Sequence, residues 1–145
     1  MITYLVGDAT QPQGEGVKVI AHICNDIGAW GAGFVMAISK RWKKPESVYR
    51  AKTTYLLGSI ALVPVEKSMS VCNMIAQHGI GTGKRRVDYN ALHLCLCKLN
   101  TCLPPGASVH MPRIGCGLAG GLWSEVEKII KQTITAPVFV YDWKG

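Results

Sequence analysis

The sequence predicts a three-layer α/β/α domain around a mixed, partly parallel central sheet. Short apolar, β-prone runs alternate with segments of helical periodicity along the whole chain. Two glycine-dense stretches each sit between a strand-like run and a helix-like one, an arrangement typical of βα units. Over 145 residues, 48% hydrophobic and 17% charged side chains supply enough apolar surface to cover a sheet on both faces.

Ile2 to Val6 is a β-prone run that stops at Gly7-Asp8, and Val17 to Cys24 is a second, bounded by Gly14-Glu15-Gly16 and Asn25. The glycine-rich stretch Gly28 to Gly33 leads into a helix from Phe34 to Arg41 or Trp42, on the spacing of Phe34, Val35, Ala37 and Ile38. Pro45-Glu46 suits a helix N-terminus, and that helix is expected to reach about Tyr55 before Gly58 ends it. Ile60 to Val65 and Val71 to Ala76 read as adjacent strands parted by Glu66-Lys67-Ser68. Asp88 caps a helix from Tyr89 to Cys102 with a Leu92, Leu96, Leu99 stripe, stopped by Pro104-Pro105. Ser108 to Met111 is a strand, Trp123 to Thr133 a helix and Val138 to Tyr141 a last strand, with no repeat or linker between them.

These elements form one domain over residues 1–145. No apolar run reaches the length of a membrane span, and Met1 leads straight into a strand pattern rather than a signal peptide. A monomeric cytoplasmic protein with no membrane partner is therefore expected. Cys24, Cys72, Cys95, Cys97, Cys102 and Cys116 show no CxxC or zinc spacing, and mostly lie in apolar stretches. They read as buried free thiols, with no metal and no cofactor implied. A net charge of +7 favours anionic partners. Its clusters, Lys40, Arg41, Lys43, Lys44 and Lys84, Arg85, Arg86, carry no run of interleaved aromatics beyond the single Trp42. A solvated surface is the preferred reading, and a nucleic-acid partner stays open.

The segment Val109 to Gly121 carries the most chemistry, because a strand there enters a loop containing Gly115, Gly117, Gly120 and Gly121. Glycines let successive backbone N–H groups converge on an anion, and the helix beginning at Trp123 or Ser124 would aim its free N–H groups at the same place. Ligands of parallel α/β sheets bind beyond the carboxyl ends of the strands, where this loop and the one after Asn25 both fall. The two loops are expected to meet on a phosphate or diphosphate.

Gly7-Asp8-Ala9-Thr10, Trp30-Gly31-Ala32-Gly33 and Met111-Pro112-Arg113-Ile114-Gly115-Cys116-Gly117-Leu118, in that order and each after a strand, resemble the macrodomain family of ADP-ribose-binding modules. The likeness covers nearly the whole chain. Its last element looks most like the branch holding the terminal ADP-ribose protein glycohydrolase and a chromatin-remodeller macrodomain, and like small bacterial stand-alone macrodomains. The resemblance implies that Asp8 accepts a hydrogen bond from the adenine amino group, that Ala9 offers backbone contact and that Tyr141 stacks on adenine. Trp30, Gly31, Ala32 and Gly33 would clasp the diphosphate against Ile114, Gly115, Cys116, Gly117 and Leu118 through main-chain N–H groups. Arg113 would either fork a phosphate or anchor its loop on a carboxylate. A nucleophilic Cys116 is set aside, since no His–Cys arrangement is legible and the family uses no thiol there.

In the glycohydrolase branch a lysine follows the fourth strand and an aspartate follows the Gly-x-Gly-Leu element. Here those places hold Gln77 and Ala119, which can form neither a lysine adduct nor an acid/base. Near the expected distal ribose remain Asn25, Asp26, Gln77 and His78. Asp26 would orient a water as base, His78 would donate to the leaving oxygen, and Asn25 and Gln77 would hold ribose hydroxyls. Lys84 could reach back if its loop folds inward. Three functions stay open: hydrolysis of an ADP-ribosyl linkage on an acidic side chain or nucleobase, recognition of ADP-ribose without catalysis, and an ADP-ribose 1″-phosphate phosphatase.

Overall fold

The computed structural model describes residues 1–81 and 83–143, and among these it has six strands and four helices. They run β1 (Ile2–Val6), β2 (Lys18–Asn25), α1 (Phe34–Arg41), α2 (Lys44–Arg50), β3 (Ile60–Glu66), β4 (Met69–Gln77), α3 (Tyr89–Cys102), β5 (Ser108–Met111), α4 (Trp123–Thr133) and β6 (Val138–Asp142). The sheet order is β1-β6-β5-β2-β4-β3. All neighbours pair in parallel except β3, which folds back on β4 as a hairpin through Lys67 and Ser68, with Ser68 at φ 59.

Alternation along the central strands sorts side chains into two cores. Val19 and Ala21 of β2, with Cys72, Met74 and Ala76 of β4, join Leu92, Leu96 and Leu99 of α3 and Val126 and Ile130 of α4. Ile20 and Cys24, with Val71 and Ile75, face Val35, Ile38 and Tyr49 on the α1–α2 side. A strand buried on both faces is what parallel sheets covered by helices require. Leu96 is fully buried, so truncating it to Ala costs about 2–5 kcal/mol.

Helix ends follow local chemistry. Asp88 accepts from the Ala91 N–H at 2.9 Å and caps α3. Gly33 opens α1 at φ 83, a conformation that costs glycine little. The second helix differs from expectation: α2 stops at Arg50, well before Tyr55. The Tyr49 hydroxyl donates to Asn25, and the chain then turns so that Tyr55 packs on Tyr49 and closes over Gly28. Smaller shifts extend β2, β4 and β6 by a residue or more beyond the apolar runs, to Asn25, Gln77 and Asp142.

The six cysteines are free, but only Cys24, Cys72 and Cys95 are buried, and Cys102 is exposed. No helix among the described residues is long and apolar enough to cross a membrane.

Candidate ligand-binding site

Two clefts open at the carboxyl ends of the parallel strands and share Gly33, Phe34 and Pro112, so they form one groove. The first, about 590 Å³, runs between Gly31–Phe34 and Pro112–Ala119 and ends at Gln77, Ile80 and Gly81. The second, about 1070 Å³, is lined by Asp8, Ala9, Tyr141 and Trp143, with Lys40, Arg41 and Lys43 along one side. Asp8 is the only carboxylate among these lining residues, while Arg113 and the three basic residues line them too. The groove therefore favours an elongated anion.

The two glycine loops do face each other across the first cleft, as their strand-end positions predict. The helix opening onto it, however, is α1, whose Phe34 and Val35 are lining residues, whereas no residue of α4 is among them. The N–H groups and dipole end aimed at an anion thus belong to α1. Of the glycines in the second loop, Gly115 and Gly120 use positive φ. Gly121 is required for another reason, since a Cβ there would lie 2.6 Å from the Gly115 carbonyl oxygen.

Several expected contacts take a different form. The Trp30 indole is buried and donates to Ser39 Oγ at 2.7 Å, so this residue supports the loop from beneath. Cys116 does not line the cleft; its Sγ–H donates to the Ile114 carbonyl at 3.4 Å. Burial raises its thiol pKa despite the opposing charge of Arg113, which keeps it in the protonated, unreactive form. Arg113 lines the cleft and also anchors it, through Nε to Asp142 Oδ1 at 2.8 Å and a second nitrogen to Oδ2 at 3.1 Å.

At the other end, Asp8 Oδ1 accepts from the Thr10 N–H and hydroxyl at 2.8 and 2.7 Å. Thr10 Oγ1 in turn accepts from Arg41 Nε at 2.9 Å. That is the local turn an Asp often makes, and it leaves Oδ2 without a hydrogen bond among the described residues. Tyr141 is only 2% exposed, with its oxygen held by the Gln13 N–H at 2.9 Å and by His110 Nδ1 at 2.8 Å. It is a wall of the cleft and offers no open face for stacking. The exposed ring is Trp143, 68% exposed, which sequence reading missed. An aromatic directly after the last strand was the available signal.

The catalytic candidates cluster where β2 and β4 end side by side. Asn25 is committed to its own loop: Oδ1 accepts from the N–H groups of Ile27 and Ala29 and from Tyr49, and Nδ2 donates to the Ala29 carbonyl. It lines the cleft and braces this loop. Gln77 lines the cleft and donates to the Gly79 carbonyl at 3.0 Å. Asp26 Oδ1 accepts from the Gly79 N–H at 2.8 Å and Oδ2 lies 2.7 Å from His78 Nδ1. Burial tends to raise the Asp26 pKa, but the Gly79 N–H and His78 outweigh it and hold the carboxyl below its ordinary range. Ala119 lines the cleft opposite, and its carbonyl accepts from the N–H groups of Arg86 and Val87, which ties residues 84–87 down. Lys84 is exposed and is not a lining residue.

Beneath the loop lies His22, 1% exposed, whose Nε2–H donates to Asn73 Oδ1 at 2.6 Å and whose Nδ1 has no hydrogen-bond partner among the described residues. Burial lowers its pKa to about 4, against a smaller opposing pull from Asn73, so the ring is neutral.

No family-level sequence model matches the chain. It is similar in structure to a macrodomain protein from Streptomyces coelicolor, with 46% identity, a TM-score of 0.85 and 100% of each chain covered. In sequence it is similar to Chromodomain-helicase-DNA-binding protein 1-like of Mus musculus, 32% identical over 157 residues, which take in 97% of this chain but span only 17% of that protein. It is also 24% identical over 163 residues to the ADP-ribose 1″-phosphate phosphatase of Saccharomyces cerevisiae, covering 90% of this chain and 92% of that one. Aligned end to end with a macrodomain protein at 46% identity, and carrying the same α/β/α fold, the chain belongs to the macrodomain family.

Proposed function

We propose that this chain binds ADP-ribose along the groove and hydrolyses an ADP-ribosyl linkage at its Gln77–Ala119 end. The observation carrying this reading is the sequence of chemistries along one groove. The free Asp8 Oδ2 and the Trp143 ring suit an adenine amino group and face, with Ala9 backbone beside them. Gly31–Gly33, the start of α1 and the Gly115–Leu118 loop suit a diphosphate. Gln77 and Ala119 line the end that suits the distal ribose, and the Asp26–His78 pair directly follows the lining residues Asn25 and Gln77 without lining the cleft itself. The yeast relative is named for an ADP-ribose derivative, which supports the same ligand.

An ester to an acidic side chain fits this end best, because its carboxylate leaves without being protonated and no carboxylic acid is among the described residues lining this end. A modified nucleobase, whose nitrogen leaves poorly, asks for one. The second reading is an ADP-ribose 1″-phosphate phosphatase, favoured by the yeast relative's name.

Calorimetry tests the binding step. ADP-ribose binds the wild type, Asp8→Ala weakens it, and Gly117→Glu abolishes it, since a Cβ at Gly117 meets nothing within 4 Å and only the carboxylate is new. No binding by the wild type overturns both readings. Release of ADP-ribose from automodified protein, against release of phosphate from the 1″-phosphate, separates them; a protein that binds and releases neither is a recognition module.

A further inference from the structure

We propose that His78 Nε2 is the base that takes a proton from the attacking water, and that Asp26 is its positioning residue; this rests on the hydrolase reading above. An ionised carboxylate only accepts hydrogen bonds, so the 2.7 Å contact to Asp26 Oδ2 places the proton of neutral His78 on Nδ1. The lone pair then sits on Nε2, and the His78 side chain is 77% exposed, so it is open to a reactant. Both Asp26 oxygens are occupied, one by Gly79 N–H and one by the imidazole, which leaves the carboxylate itself a poor proton acceptor. The backbone fixes the pair further, through Asp26 N–H to the Gln77 carbonyl at 3.0 Å and His78 N–H to the Arg86 carbonyl at 2.8 Å. Asn25 and Gln77, the residues immediately before Asp26 and His78, line the cleft, as do Ile80 and Gly81 just beyond. Asp26 and His78 are not themselves among the lining residues, so the dyad stands outside the cleft wall at the lip of its distal end, a carboxylate orienting an imidazole by the logic of hydrolytic triads.

In the step, a water O–H bond breaks as its oxygen bonds to C1″. The C1″–O bond to the carrier breaks with its electron pair leaving on the carrier carboxylate, and the proton taken by His78 Nε2 passes to solvent. Lys84, Arg85 and Arg86 are the cationic residues of this loop segment, and the Arg86 guanidinium lies against Gly79 and Gly81.

The test is steady-state hydrolysis of an ADP-ribosyl carboxylate ester on automodified protein, with ADP-ribose calorimetry on each variant. His78→Ala lowers kcat by about 10²-fold or more with little change in ADP-ribose affinity, and added imidazole restores part of the rate. Asp26→Asn presents an amide N–H to Nδ1, drives the proton to Nε2 and lowers kcat by a comparable factor. The double variant is no slower than His78→Ala alone. A His78→Ala protein that binds ADP-ribose and hydrolyses at the wild-type rate overturns the assignment and leaves the hydrolase reading standing. A wild type that binds but hydrolyses nothing overturns both.

Discussion

Arg113 and Asp142 are joined by two parallel hydrogen bonds, 2.8 and 3.1 Å long, that clamp the loop after β5 to the last residue of β6. The guanidinium also lies 5.1 Å from the Tyr4 ring centroid and 5.2 Å from that of Trp123. Both partners of the pair are more than a third exposed, so its value is local order and not global stability. Arg113→Lys keeps the charge but loses the fork. It is expected to leave thermal stability nearly unchanged while weakening ADP-ribose binding roughly tenfold; unchanged affinity by calorimetry would show that the clamp is dispensable.

Trp143 lines the Asp8 end of the groove, the end proposed to hold adenine, with most of its surface open. Stacking a base on such a ring is worth about 1–3 kcal/mol. Trp143→Ala should therefore raise the dissociation constant for ADP-ribose by about tenfold or more, and the affinity for ribose 5-phosphate should not follow. Equal losses for both ligands would place the indole elsewhere.

Gly121 and Gly117 stand in the same loop and should answer oppositely to alanine. A Cβ at Gly121 would meet the Gly115 oxygen at 2.6 Å and Val87 Cγ1 at 2.8 Å, while at Gly117 it meets nothing. Gly121→Ala is expected to cost about 1–3 kcal/mol and to lower the melting temperature. Gly117→Ala should stay within about 0.5 kcal/mol of wild type. Thermal unfolding of the two variants side by side decides the point.

His22 and His110 are both buried, and burial lowers each pKa to about 4, with Lys18 adding to the effect at His110. The unfolded chain takes up protons on these rings near their ordinary value of 6.5, while the folded chain does not. Stability is therefore full above that value and falls as pH drops toward 4, by an amount on the order of 3 kcal/mol per ring. The urea midpoint should fall between neutral pH and about pH 4.5, and a midpoint that holds steady across that range would contradict the burial of neutral imidazoles.

Much of this was legible in the residues, where the signal is local. The run Ile2–Val6, the Asp88 cap with its leucine stripe, and the helix from Phe34 all depend on neighbours within a turn or two of chain. What sequence reading misplaced depends on distant partners. Trp30 turned inward because Ser39 and the α1–α2 core receive its indole. Asn25 closed on its own loop because Tyr49 reached it from α2. The helix that faces the anion site was misassigned for the same reason: local pattern marks where a helix starts, and only packing against the sheet says where that start points. At the distal end the residue types Asp26 and His78 were legible, but their hydrogen bond forms between two strand ends 52 residues apart.

The placement of β6 between β1 and β5 bears on how the molecule folds as well as on what it binds. β1 touches the sheet only through β6, in a register that sets Ile2 beside Val138. Forming that pair closes almost the entire chain into a single loop, an entropic cost met late in folding and one that slows it. The strands that lead into the first cleft, β2, β4 and β5, pair over shorter separations. The turn holding Asp8, which follows β1, is thus expected to order after the C-terminal strand has docked. In a refolding experiment, competence to discriminate adenine should lag behind the capture of pyrophosphate.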